Sequence, residues 1–185
     1  MLGGVVGAVR GSWTSGLAMV AAMAVAGCGG TQPSPQVQSS QRTCSTGQLA
    51  TTLGQTGAGT GQRYVVVTFQ DTGHTACHLD GYPSVVAQGG AHVGSLAAKR
   101  LTGIGPPTDV TLAPGGAASA LVQTVDVQMN GLTCVTYQTL QVTPPGSRRN
   151  TTLMLNGTGL EGPQGSGLYS CGPIFVGPVQ AGVIH

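Results

Sequence analysis

Glycine and proline punctuate this chain so densely that no long helix fits between them. The 185 residues include 32 Gly and 11 Pro. Glycine supplies backbone conformations that other residues resist, and proline fixes φ and removes a hydrogen-bond donor. From Cys44 onward Gly-Tyr-Pro, Gly-Gly, Gly-Pro-Pro, Pro-Gly-Gly, Pro-Pro-Gly and Gly-Pro recur between short apolar runs, which is the punctuation of tight turns. No stretch of about a dozen residues sustains a helical apolar stripe. The clearest run, residues 63–70, holds three Val, a Tyr and a Phe between Gly61 and the turn signal Asp71-Thr72-Gly73. Further strand candidates are 48–53, 84–87, 110–112, 118–127, 133–142, 151–155 and 174–179. About seven or eight short strands with turns between them predict an all-β domain over 44–182, an antiparallel β-sandwich of immunoglobulin-like type. The sequence between Gly57 and Gly61 resembles a phosphate loop only superficially, since a strand and not a helix follows it, so it is expected to be a flexible inter-strand loop.

Upstream of this domain the composition changes twice. Residues 1–27 have the layout of a secretory signal peptide, with Arg10 as the only charge and an apolar run at 17–26. That run is well short of the about 20 residues needed to span a bilayer. It leads into Val25-Ala26-Gly27-Cys28, which resembles the lipobox of bacterial lipoproteins. The resemblance implies cleavage before Cys28, acylation of its thiol, and a protein lipid-anchored on the outer face of the cell membrane. Residues 28–43 are a Gln/Ser/Pro linker with Val37 as the one large apolar residue, so no core forms there. Such a tether reaches about 20 Å as a random coil.

Charge is the second restriction. Only 6% of residues are charged, seven basic against five acidic, for a net charge of +2, where an ordinary domain carries about 25% charged residues. This argues against nucleic acid as a partner and against an extended polybasic membrane surface. It also argues against a coiled coil.

The chain has five Cys. With Cys28 assigned to lipid, Cys44, Cys77, Cys134 and Cys171 remain, and an even count in an exported chain reads as two disulfides. Three pairings are open to four cysteines; Cys44 with Cys77 and Cys134 with Cys171 are favoured because each closes a modest loop. Each such loop is worth about 3 to 4 kcal/mol in the chain-entropy account. A four-thiolate metal site has little support, as no Cys-x-x-Cys pair is present.

Candidate ligands and catalysts are sparse. His74 and His78 flank Cys77, and with His92 they are weak candidates for a copper or zinc site. Exposed loop histidines are the preferred reading, and no metal or other cofactor is expected. The carboxylates Asp71, Asp80, Asp109, Asp126 and Glu161 mostly fall at turns or strand ends, where Asp bonds to backbone. No nucleophile elbow is present. An enzyme is therefore not expected.

Cys44, the segment running from Gly57 to Phe69, the block Cys77, Leu79, Gly81, Tyr82 and Pro83, and the late Cys134 and Cys171 together resemble one family, the domain of unknown function 4232 of actinobacterial exported proteins and lipoproteins. The block also makes physical sense: a cystine pins a strand end, Gly81 and Pro83 shape a bend, and Tyr82 is expected to bury its ring with its hydroxyl on a backbone partner. The resemblance implies a cell-surface β-sandwich and supplies no activity. The expected function is a non-enzymatic binding or structural module of the cell envelope, with an envelope protein or glycan as partner. The alternatives are a small-molecule, lipid or metal-ion carrier on the same fold and, behind it, an enzyme acting on wall polymers.

Overall fold

A computed structural model describes residues 42–89, 94–127, 133–160 and 165–184. The leader 1–27, Cys28, nearly all of the linker, His92 and Glu161 lie outside them. The described residues form thirteen strands and one short 3-10 turn (Thr46–Gln48). The strands are β1 (Leu49–Gly59), β2 (Gln62–Asp71), β3 (Cys77–Asp80), β4 (Ser84–Gly89), β5 (Ser95–Ala97), β6 (Lys99–Arg100), β7 (Asp109–Leu112), β8 (Ala117–Val125), β9 (Val135–Thr143), β10 (Thr151–Met154), β11 (Leu168–Ser170), β12 (Ile174–Val176) and β13 (Gln180–Ala181).

One sheet has the order β1-β2-β8-β12-β6, with β13 also on β8; the second has the order β10-β9-β4-β5, with β11 also on β9; β3 and β7 form a separate ribbon. The core lies between the sheets. Val65, Val67 and Phe69 of β2, Ala118, Ala120 and Val122 of β8 and Ile174 of β12 share one cluster with Val85 and Ala87 of β4 and Leu140 and Val142 of β9. On each strand these residues alternate, as a strand with one face inward requires. Tyr137 breaks the parity of β9 yet is buried, because the register against β4 shifts between Gln88 and Gly89. An extra residue at this bulge turns the following side chain to the other face.

The all-β, antiparallel, two-disulfide architecture matches expectation. The strand count exceeds it because β5, β6, β11 and β13 are two- or three-residue strands, too short for propensity to mark, and because the four-residue β3 was not among the candidates. One pair, β12 with β6, is parallel.

The segment from Gly57 to Gly61 is not a flexible loop. β1 continues through Gly59, paired with β2 from Leu49↔Asp71 to Gly59↔Gln62, and only Thr60 and Gly61 make the turn. Both have positive φ, 48° and 75°, the pattern of a two-residue hairpin turn whose twist suits the flanking strands. The glycines are a packing device. Gly57 lies opposite Tyr64, and a Cβ on it would stand 2.2 Å from the phenol tip. The ring covers the space that a side chain would take.

The disulfides join Cys44 to Cys77 and Cys134 to Cys171, with Cα separations of 4.9 and 3.8 Å. Cys134 and Cys171 continue the ladder in which Ser170 faces Val135. Cys44 enters beside β3, where its N–H donates to His78 O (2.9 Å) while the His78 N–H donates to Arg42 O (2.9 Å).

Two outcomes follow. Replacing Thr60, a β-branched residue at positive φ, by Asn should raise stability by about 1 kcal/mol, seen as a higher thermal midpoint. Replacing both Cys134 and Cys171 by Ala should cost about 2 to 5 kcal/mol in denaturant unfolding, and an unchanged midpoint would show the bond to be idle.

Candidate functional site

Two clefts flank the Cys77 to Pro83 block. Within the block Cys77 is tied to Cys44, and Leu79 is fully buried. Gly81 has φ +91°, and its carbonyl accepts the Val179 N–H (2.9 Å), joining the bend to the segment before β13. Tyr82 differs from expectation. Its ring is only half-buried, and the Arg100 guanidinium lies 5.1 Å from the ring centre. A cation over the ring face takes the place of enclosure, and its hydroxyl finds no backbone partner among the described residues. Tyr82, Pro83, Ser84, Ala98, Arg100 and Val176 line a cleft of about 220 Å³.

The larger cleft, about 440 Å³, lies between the entry segment Thr43 to Gly47 and the turn Gly146 to Arg149. The turn follows Pro144 and Pro145, both buried, and reverses at Gly146 with φ +72°. A hydroxyl relay fastens its two walls together. The Thr46 hydroxyl donates to Arg149 O (2.8 Å), so its oxygen accepts from the Ser147 hydroxyl, and Ser147 Oγ lies 3.4 Å from the Arg149 N–H. Each hydroxyl is thereby spent on shaping the turn. Arg148 and Arg149 project from it exposed.

Residues 44–180 match the family described as Domain of unknown function (DUF4232). The chain belongs to this family. No curated protein and no solved structure matches it. The DUF4232 span starts at the first cystine half and ends in β13, so it takes in both sheets, both disulfides, the smaller cleft and all of the larger one but Thr43.

The remaining sequence candidates are dispersed over the DUF4232 domain. His74 is exposed in the turn before β3. His78 is half-buried, with Nε2 3.5 Å from Thr43 Oγ1 and a buried Nδ1 that has no hydrogen-bond partner. Cys77 between them is in a disulfide and is no ligand. Among the described residues no group of three His, Cys, Asp or Glu is placed to hold a metal ion. Asp71 is buried and accepts the Gly73 N–H (2.8 Å), a local turn bond. Asp126 pairs with Arg63 at 3.2 Å, and that guanidinium also lies 5.8 Å from the Tyr169 ring centre. Asp80 and Asp109 do come together, as directly opposed register partners of β3 and β7. Both are exposed, and neither lines either cleft.

Burial pushes the Tyr137 phenol above its ordinary value of 10.0. A raised folded value favours the neutral form, so this contribution is complete below about pH 10 and is lost as pH rises further.

The arginine turn escaped sequence reading, although Pro144-Pro145-Gly146 was legible as a turn. Its signal was two consecutive cations, Arg148 and Arg149, in a chain with 6% charged residues. A Cβ on Gly146 would meet Thr43 Cγ2 at 2.4 Å. Gly146→Ala should therefore lower stability by about 1 to 3 kcal/mol in thermal unfolding, through both left-handed strain and that clash.

Proposed function

We propose that the protein is a lipoprotein held on the outer face of the cell membrane by acylated Cys28, with the 44–182 sandwich serving as a non-enzymatic binding or structural module of the envelope. The observation that carries this reading is the cysteine pairing. Four of the five Cys are joined within the fold, which fits an oxidising compartment. Cys28 is the one left over, and it stands directly after Val25-Ala26-Gly27 at the end of a leader-like apolar run. The resemblance of leader and domain to actinobacterial exported proteins supports the same reading.

The dispersal of ionisable groups supports the non-enzymatic part. General acid and base chemistry needs two such groups converging on one substrate cleft, whereas Asp71 serves a turn, Asp126 serves an ion pair, and Asp80 and Asp109 face solvent. A domain on a tether of this kind presents its clefts and turns to an envelope protein or glycan.

Cys28→Ala tests the anchor. The variant should lose lipid labelling and accumulate as the uncleaved precursor, and normal membrane retention with unchanged labelling and processing would refute it. Crosslinking in intact cells should recover one specific partner, while the purified domain shows no turnover on wall polymers.

A further inference from the structure

We propose that the cleft between Thr43 to Gly47 and Gly146 to Arg149 binds a phosphoryl group, carried either by an anionic lipid headgroup or by a soluble phosphate compound. The first support is the distribution of charge. The chain holds only seven basic side chains. Two of them, Arg148 and Arg149, line this cleft, and Arg42 immediately precedes its entry wall. All three are exposed, and no carboxylate of a described residue pairs with them.

Unpaired clustered cations repel one another unless an anion joins them. The described carboxylates are elsewhere: none of Asp71, Asp80, Asp109 and Asp126 lines the cleft. Arg148 and Arg149 both line the cleft, and a planar guanidinium presents its N–H donors in a fork that matches the acceptor oxygens of a phosphoryl group.

The second support is preorganisation. The Ser147, Thr46 and Arg149 relay ties the arginine turn to the entry wall, and Cys44, in that wall, is fixed to Cys77. The turn is thus held before any ligand arrives, which lowers the ordering cost of binding. Gly47 leaves open space where a Cβ would stand, so the wall admits a ligand close to its backbone.

The headgroup source rests on the anchor proposed above, because the tether 28–43 would deliver this end of the domain to the bilayer. The phosphate chemistry does not rest on it. The test uses the mature chain as isolated from the cell, beside Arg148→Gln with Arg149→Gln and beside Arg148→Gln alone. Binding of inorganic phosphate is followed by phosphorus NMR and thermal shift against chloride at equal ionic strength. In parallel, hydrogen exchange at 43–47 and 146–149 is compared on vesicles of phosphatidylglycerol and of phosphatidylcholine.

Because both side chains are exposed, the variants should keep the unliganded thermal midpoint. Binding should weaken about tenfold or more in the double variant and less in the single one. Protection confined to phosphatidylglycerol vesicles assigns the headgroup. A response to inorganic phosphate without vesicle protection assigns a soluble phosphate. Equal behaviour of native chain and double variant in both arms, or no response in either, overturns the site. A soluble, unlipidated chain that still binds phosphate through the two arginines refutes the anchor and leaves the site standing.

Discussion

The ladder between β2 and β8 is the interaction on which the rest of the fold depends. It runs antiparallel through nine consecutive pairs, from Gln62↔Val125 to Gln70↔Ala117, without a register shift. On its inner face Val65, Val67 and Phe69 lie alongside Ala118, Ala120 and Val122, all essentially inaccessible to solvent. The small alanines of β8 leave room for the larger side chains of β2 and of the facing sheet. The other edge of β8 carries both β12 and β13, and β1 folds back on β2 by its hairpin. A one-residue slip here would turn this whole set of side chains outward, so the hydrophobic pattern fixes the register for every neighbour.

A chain this poor in charge cannot rely on ion pairs, and its buried polar groups show what replaces them. Ser119, on the outer face of β8, is fully buried because the C-terminal segment covers it: its hydroxyl donates to Gly182 O (2.9 Å) and accepts the Ile184 N–H (3.1 Å). Thr124 is equally buried and donates to Tyr169 O (2.8 Å). Each bond is worth only about 1 kcal/mol net, but leaving such a group unpaired costs about 1 to 3 kcal/mol. These bonds therefore specify where the covering segments lie more than they add stability. The low average charge likewise conceals its distribution, since a mean over the chain says nothing of three arginines near one cleft.

Legibility in the sequence followed the range of the interaction. The β2 run was evident because β-branched and aromatic residues concentrate there, and the Asp71 turn because its bond to the Gly73 N–H is local. The expected 174–179 strand covered β12 but ran past its end and missed β13, because both pair with β8, fifty or more residues away. Gly57 misled although its partner lies only seven residues along the chain. In isolation a Gly-rich stretch reads as loop, and only Tyr64 opposite it makes the stretch a strand. At the candidate site, the turn was visible but its partner was not: nothing local to Ser147 and Arg149 points to Thr46, a hundred residues earlier.

Cys44 couples these levels. It lines the larger cleft, it is bonded to the first residue of β3, and it directly follows Thr43, where the linker enters. Under the proposed anchoring, any load on the tether reaches the domain at this point. The bridge between Thr43 and His78 is held by only two backbone hydrogen bonds, and a terminal pairing of that size frays readily. The disulfide carries the load past it into β3, whose ladder to β7 runs from Cys77↔Leu112 to Asp80↔Asp109. The same covalent bond would then also hold the entry wall of the cleft in place. Under that proposal a cystine at the first residue of the domain has a mechanical reason, where chain entropy alone would serve as well with the crosslink placed elsewhere.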